Sequence, residues 1–256
     1  MTARKDSMKL RKGYRQTIVA CIALLMAAVF ASCTPADNNR SDNITTSPQV
    51  TATPTPVFRD SVDKNVRAKA VEMVPTFLGE RDEVWELAKE YPIEKIRFEK
   101  DDAETNTAGW FRFLWQEDAV YVLVHVTDDT PDTDAESVFD RDCVFVYINE
   151  DGRKNLRYTV GDAFYAVDRD GKGFLGRGGT ENAFYTCAYP DETGEGYYAQ
   201  FRIPLLSVTG RYDREIGFDV CINNAAEGAL VQSIQWADTS CYTEVTMTGV
   251  GTVRMD

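Results

Sequence analysis

The stretch AVYVLVHVT, at residues 119–127, decides the fold class. Valines occupy every second position of this stretch and share one face, while the other face is mixed in character. A period of two is typical of a half-buried β-strand, because successive side chains of a strand point to opposite faces of the sheet. The same alternation recurs at residues 143–149, 197–203 and 216–222. These segments predict a protein built from antiparallel strands.

Turn-forming residues separate the predicted strands, at Glu150–Gly152, Asp170-Gly171 and Glu192–Gly196. About ten short candidate strands follow one another at regular spacing, which is typical of a sandwich. We therefore expect one all-β domain over residues 58–256, an antiparallel two-sheet β-sandwich with a jelly-roll-like arrangement. A short helix is predicted near its start, at roughly Asp82–Tyr91.

The composition excludes several classes of function. The chain has 256 residues, 43% of them hydrophobic, so it can bury a real core. Its 28 basic and 41 acidic residues argue against a nucleic-acid partner, because phosphate binding needs concentrated positive charge. Because His125 is the only histidine, the sequence argues against His-rich metal sites and against catalytic triads that need a histidine. The composition favours a binding protein.

The first 32 residues resemble an export signal. Six basic residues precede an apolar run, Thr17–Ala31, that is too short for a convincing membrane span. Residues 30–33 (FASC) resemble a bacterial lipobox, in which the cysteine, here Cys33, is lipidated and becomes the new N-terminus. An ordinary secretory signal or an uncleaved anchor is the alternative. We expect an exported lipoprotein attached to the cell membrane or the outer membrane.

Residues 33–57 have the composition of a tether. They contain eight Ser or Thr residues and four prolines, with no aromatic side chain. Such a segment buries too little apolar surface to offset its ordering entropy, so it is expected to stay disordered.

The order of several motifs resembles carbohydrate-binding module family 9. GERDEVW at residues 79–85 is similar to the family's opening dGeiDevW. Further similar segments, in chain order, are FLWQEDAVYV at 113–122 (vlWDenyLYv), DCVFVYIN at 142–149 (DsvEifiD), GYY to IP at 196–204 (gGYivEaaIPw), IGFDV at 216–220 (iGFdvqvnDa) and QWAD at 235–238 (W-x-D). The resemblance implies a non-catalytic sugar-binding β-sandwich, often calcium-stabilised and usually appended to glycoside hydrolases.

The resemblance also implies a sugar site. Family members clamp a sugar ring between two tryptophans, and the corresponding positions here are Phe139 and Tyr242. Arg157 corresponds to a family arginine, and its guanidinium fork suits ring hydroxyls. A family glutamate that contacts sugar is replaced by Phe145. The alternative is that these residues are ordinary rim aromatics and a solvated arginine.

An acidic loop is the candidate calcium site. Asp128 and Asp129, with Asp132 and Asp134 nearby, follow a predicted strand, and clustered carboxylates are the ligands that calcium prefers. Solvated surface charge is the alternative. Near residue 170, a tight turn is favoured over a metal loop, because the distal acidic ligands are missing.

Four cysteines lie beyond the signal and Cys33, at positions 143, 187, 221 and 241. An even count in an exported protein favours at least one disulfide, with the pairing left open. His125 is expected to be a satisfied core or rim residue, with an axial haem ligand as the sharper alternative.

Three functions are compatible with these features. The first, which we favour, is carbohydrate binding by a membrane-anchored lipoprotein that supports glycan degradation and has glycoside hydrolases as possible partners. The second is a glycosidase with paired carboxylates. The third is a scaffold or haem-binding redox subunit without sugar binding.

Overall fold

The computed structural model describes residues 64–101, 107–128, 130–240 and 242–256. By its internal contacts the chain divides into Met1–Thr55 and Pro56–Asp256, and every described residue belongs to the second unit. The predicted signal peptide (1–32), Cys33 and the tether (33–57) lie outside the described residues, as do Asp129 and Cys241. Within the described part of the chain, no helix is long and apolar enough to cross a bilayer.

Thirteen β-strands and two short 3-10 helices account for the regular structure of the described residues. The strands are β1 (Asn65–Ala70), β2 (Tyr91–Ile93), β3 (Lys95–Glu99), β4 (Ala108–Trp115), β5 (Ala119–Thr127), β6 (Cys143–Asn149), β7 (Asp162–Asp168), β8 (Gly173–Leu175), β9 (Tyr185–Pro190), β10 (Gly196–Pro204), β11 (Glu215–Ala226), β12 (Ala229–Gln235) and β13 (Gly251–Met255). The 3-10 helices are Glu83–Leu87 and Val138–Asp140.

The prediction of a two-sheet, jelly-roll-like sandwich is wrong, although the all-β class is right. All thirteen strands belong to one hydrogen-bonded sheet, whose main path runs β8-β7-β6-β11-β13-β1-β4-β5-β10-β9. Strand β1 joins the two halves of this path, because its residues 65–68 pair with β13 and its residues 69–70 pair with β4. Both pairings are parallel. The two ends of the path approach each other, since Phe184, just before β9, stacks on Tyr165 of β7 at 4.6 Å. The sheet is therefore nearly closed and barrel-like.

The predicted helix at Asp82–Tyr91 is also wrong. The structure has only a five-residue 3-10 helix there, Glu83–Leu87, capped by the Asp82 carboxylate, which accepts from the backbone N–H of Val84. The segment cannot continue as a helix, because Tyr91 precedes a proline and is drawn into strand β2.

The interior is filled by one face of each main strand, as the alternation predicts. Val120, Val122, Val124 and Val126 of β5 all lie in the central core, with exposed fractions of 1% or less. Successive strands pair in antiparallel register around them, for example β4 with β5 and β5 with β10. The tryptophans at 85, 115 and 236 are buried.

The opposite face of the sheet carries two smaller apolar clusters. One lies on β4, β5 and β10 and is covered by the segment that contains Trp85. The other lies on β6, β7 and β11 and includes Phe145, Tyr147 and Cys221. The second cluster is the floor of the candidate site.

Candidate functional site

The candidate site is the outward side of β6, β7 and β11, which we call the aromatic face. Phe145, Tyr147, Phe164 and Cys221 form its floor, and each lies on the strand face opposite to the central core. The period of two in these strands explains the arrangement, because Val144, Val146 and Ile148 of β6 fill the interior while the intervening residues face outward.

Phe139 lies on this floor. It belongs to the 3-10 helix Val138–Asp140, whose Ser137 cap accepts from the Phe139 backbone N–H. The Phe139 ring stacks on Phe145, with 5.2 Å between ring centroids and 5° between ring planes. The Asn223 side-chain amide donates to the Phe139 carbonyl oxygen at 2.9 Å and fixes the backbone. With 41% of its surface exposed, Phe139 offers solvent the part of its ring not covered by Phe145.

A polar network borders the same floor. The Arg97 Nη2 atom of β3 donates to both carboxylate oxygens of Glu244, at 2.8 and 3.0 Å, and its Nη1 atom lies 3.5 Å from the Cys221 sulfur. The Tyr147 hydroxyl donates to Glu244 Oε1 at 2.8 Å. Burial, together with the neighbouring Cys221 and Glu244, raises the pKa of Tyr147 well above its ordinary value, so this hydroxyl remains a donor. Glu244 therefore has two fixed donors.

The loop that carries Tyr242 is anchored from beneath. The Thr243 hydroxyl donates to Asp238 Oδ2 and accepts from the Gln235 side-chain amide. The same Gln235 amide donates to the buried carboxylate of Asp219, which also accepts from the backbone N–H groups of Ala237 and Asp238. Burial raises the pKa of Asp219 to about 7. The hydrogen bonds favour the charged form and act in the opposite direction, but burial has the larger effect.

Above these anchors, the Tyr242 side chain is 63% exposed. Tyr242 is two residues from Glu244 in the same turn, and Glu244 reaches Tyr147 on the floor. Tyr242 therefore lies in the turn whose Glu244 contacts the floor, whereas Phe139 stacks directly on the floor.

Arg157 is exposed and lies in the segment between β6 and β7. Its neighbour Tyr158 packs on the floor cluster, and the Tyr158 hydroxyl donates to the Thr243 carbonyl oxygen at 2.7 Å. The segment of Arg157 also contacts the end of the Tyr242 loop through its backbone, because the Asn155 carbonyl oxygen accepts from the Met247 N–H. The assignment of all three residues to sugar binding stays a prediction.

Sequence reasoning missed Arg97, Tyr147 and Glu244. Tyr147 was detectable, because it lies two positions after Phe145 and therefore on the same face of the strand. Glu244 follows Tyr242 at the same spacing. Arg97 had no local signal, because its partner is 147 residues away in the sequence.

His125 is a half-buried rim residue. Its Nε2 atom lies 3.0 Å from the Asp191 carboxylate, and its ring stacks on Trp110 at 5.3 Å. The pKa of the Asp191 carboxyl group is lowered to about 2. Burial acts against this shift, but the hydrogen bonds from His125 and Thr193 outweigh it. This ring nitrogen is therefore engaged within the protein.

The cysteines that the structure describes, at positions 143, 187 and 221, are free thiols. The predicted disulfide is therefore wrong for any pairing among these three. Cys143 and Cys221 are fully buried, and burial raises the pKa of each thiol, to about 11 for Cys221. Buried thiols of this kind pack as small apolar groups.

Asp128 of the candidate calcium site is buried and already engaged. The Arg169 guanidinium lies 3.0 Å from one of its carboxylate oxygens, and Thr130 donates to the other. In the described part of the chain, no group of three or more His, Cys, Asp or Glu side chains is arranged to hold a metal ion. With an internal counter-ion, Asp128 does not fit a calcium site as arranged, and the calcium prediction, which also involves Asp129, remains to be tested by chelation.

The aromatic face has the elements that saccharide recognition needs. Sugar rings present an apolar C–H side and a rim of hydroxyls, so a site combines flat aromatic rings with a few fixed polar groups. Phe139 and Tyr242 are exposed rings, and the Arg97–Glu244 pair is a fixed donor and acceptor set.

Solved structures with the same fold include a carbohydrate binding module family 9 from Caldicellulosiruptor kristjanssonii. Its complex with cellotriose has a TM-score of 0.67 to this chain at 22% identity, and the match covers 75% of this chain and 94% of that one. Its complex with glucose has the same TM-score and identity, with 96% of that chain covered. This similarity supports the fold.

Sequence relatives are larger enzymes. Endo-1,4-beta-xylanase A of Thermotoga maritima is 30% identical over 165 residues, which cover 64% of this chain and 15% of the enzyme. Exoglucanase XynX of Acetivibrio thermocellus is 27% identical over 191 residues, covering 71% of this chain and 17% of the enzyme. The chain therefore corresponds to a minor part of each relative.

Residues 78–250, more than half of the chain, match the family described as carbohydrate family 9 binding domain-like. This match confirms the resemblance predicted from the ordered motifs. It also confirms the favoured class of function, carbohydrate binding without catalysis. The chain belongs to the carbohydrate family 9 binding domain-like family.

Proposed function

We propose that this protein binds β-1,4-linked saccharides at the aromatic face and catalyses no reaction on them. One observation supports the choice of surface: the exposed ring of Phe139 stacks on the floor, and the exposed Tyr242 is two residues from Glu244, whose carboxylate accepts from Tyr147 of the same floor. The printed names of relatives support the ligand class, since they include endo-1,4-beta-xylanases and a module in complex with cellotriose.

The proposed binding mode follows from the chemistry of the surface. The apolar side of a pyranose ring stacks on the free part of Phe139 and on Tyr242, which excludes water from both. Hydroxyl groups at the ring edge then meet polar groups on the rim, where the Arg157 guanidinium is a donor with fork geometry. Because the face is open, its affinity depends on few contacts, and we expect dissociation constants in the micromolar to millimolar range, roughly −8 to −4 kcal/mol.

We further propose that the domain acts while attached to the cell envelope through a lipid on Cys33. The FASC segment at residues 30–33 and the Pro- and Thr-rich stretch after it support this proposal. A tethered module raises the local concentration of glycan for hydrolases nearby. Metabolic labelling with a palmitate analogue tests it: the wild-type chain is labelled and sediments with membranes, while Cys33→Ala is not labelled.

The central test is calorimetric titration of the full-length chain with cellotriose and xylotriose, with maltotriose as the α-linked control. We expect saturable binding of a β-1,4-linked trisaccharide and weaker binding of maltotriose. An assay for newly formed reducing ends, run on the same mixtures, is expected to stay at background. Absence of binding to all three sugars would refute the proposal, and sugar release would refute its non-catalytic part.

A further inference from the structure

We infer that Glu244 is the carboxylate that accepts hydrogen bonds from ligand hydroxyls at the aromatic face, with Arg97 and Tyr147 as its positioning residues. This inference rests on the proposed function and adds a specificity-determining residue to the same site. Glu244 is a carboxylate that contacts the floor of the aromatic face, through the hydroxyl of Tyr147.

Phe145 gives the site no acceptor at its own position on β6. Its side chain is 1% exposed and lies beneath the parallel ring of Phe139. A phenyl ring offers no lone pair to a hydroxyl group. Glu244 contacts the same outward face of β6, because it accepts from Tyr147, two residues further along this strand.

Glu244 has capacity left for a ligand. A carboxylate has about four acceptor positions on its two oxygens. Among the residues that the structure describes, Oε1 accepts from Tyr147 and from Arg97, whereas Oε2 accepts from Arg97. The Glu244 side chain is 21% exposed, so solvent, and by the same route a sugar hydroxyl, reaches it.

Its two partners fix the carboxylate in one orientation. The Arg97 side chain is 12% exposed and bridges both oxygens through one nitrogen. Tyr147 is fully buried and donates at 2.8 Å. An acceptor held in this way loses little conformational entropy when a ligand arrives, and hydrogen bonds to a charged acceptor are stronger than those between neutral groups.

The competing interpretation is that the ion pair only joins β3 to the loop at 242–247. A buried ion pair contributes little to stability compared with well-packed apolar residues of similar volume. An ion pair that only joins these elements is therefore replaceable by apolar side chains without loss of sugar binding, whereas an acceptor is not.

The test uses Glu244→Gln in the full-length chain, titrated calorimetrically with cellotriose and glucose. We expect at least a tenfold weaker affinity. Because the variant leaves the nearly buried Arg97 without its counter-ion, its melting temperature is expected to fall, and the titration is made below the unfolding transition. The matched control is Glu90→Gln, which alters the pair of Glu90 with the nearly buried Arg112 at 2.7 Å and is expected to leave the affinity unchanged. The double variant R97M/E244L covers the case in which the single variant unfolds, and it is expected to fold and to lose binding.

Deoxyglucoses separate an acceptor from a structural support. If Glu244 accepts from one hydroxyl, removing that hydroxyl from glucose weakens wild-type binding but has little further effect on E244Q. Equal loss for every deoxyglucose in both proteins would overturn the inference. Wild-type affinity in E244Q or R97M/E244L would also overturn the inference, provided that Phe139→Ala still weakens binding. That combination of results would leave the proposed function intact. Failure of the wild type to bind any sugar would instead refute the proposed function, and this inference with it.

Discussion

The ring of Phe139 lies parallel to the ring of Phe145, with 5° between the planes and 5.2 Å between the centroids. One side of Phe139 is therefore covered by the protein, and only the remainder is available for stacking. Because Phe145 is buried and belongs to β6, it gives Phe139 a rigid support. Where the resemblance implies a glutamate, this chain therefore has a support for the Phe139 ring.

Phe145→Ala is expected to destabilise the protein by about 3–5 kcal/mol, since a fully buried aromatic side chain is removed from a packed cluster. The variant also removes the support of Phe139, so sugar affinity is expected to fall even where the protein is still folded. Urea unfolding measures the first effect, and calorimetric titration below the transition measures the second. Unchanged affinity in the folded variant would show that the stacked pair does not form the platform.

The free energy of unfolding is expected to decrease as the pH rises from about 4 to about 8. Burial, with the nearby charge of Asp128, raises the pKa of Asp142 to about 7, so the folded protein binds more protons than the unfolded chain between these pH values. Asp219 acts in the same direction. Asp191, with its pKa lowered to about 2, has the opposite effect, and its stabilisation is lost as the pH falls below about 4.

Chemical denaturation at pH 5 and pH 8 measures this dependence. We expect the wild type to be more stable at pH 5 by more than about 1 kcal/mol, the equivalent of roughly one pKa unit. Asp142→Asn mimics the protonated carboxyl, so this variant is expected to show a smaller difference between the two pH values. A wild-type stability that rises with pH over this range would contradict the assignment.

Arg169→Ala is expected to cost about 3 kcal/mol, because it leaves the buried Asp128 carboxylate without its counter-ion. Arg153→Ala is the control, since its pair with Asp151 is exposed and 3.8 Å long and should contribute less than about 0.5 kcal/mol. Equal effects of the two variants on the midpoint of urea unfolding would show that Asp128 does not depend on Arg169.

EDTA is expected to leave the melting temperature of the wild type unchanged, because Arg169 supplies the positive charge that Asp128 needs. Differential scanning calorimetry with EDTA and with added calcium measures this. A melting temperature that rises with calcium and falls with EDTA would contradict this expectation and support the calcium prediction made from the sequence.

The alternation of side chains predicted the strands and their buried faces, because both are local properties. Val120 to Val126 fill the core as the period of two requires. The connection of the strands into one sheet was not predictable in this way, since it depends on pairs such as Asn65 with Thr252, at opposite ends of the domain. A two-sheet sandwich and one continuous sheet bury the same residues, so the alternation does not distinguish between them.

The site was partly predictable for a related reason. The family resemblance pointed to Phe139, which stacks on the floor, and to Tyr242, which is exposed in the turn that carries Glu244. Arg97 and Glu244 depend on a contact between distant segments, and the parallel stack of Phe139 on Phe145 depends on the turn at Val138–Asp140. Neither contact has a local pattern in the sequence.

The most direct measurement is the affinity of the full-length chain for cellotriose, compared with Phe139→Ala, Tyr242→Ala and the control Tyr185→Ala. Tyr185 is 58% exposed, lies on β9 against the Arg202 guanidinium and does not belong to the cluster that forms the floor of the aromatic face, so its removal should not change binding. Removal of Phe139 or Tyr242 should weaken binding by about 1–2 kcal/mol, the range for a lost aromatic contact. Wild-type affinity in both variants would place the sugar elsewhere on the protein.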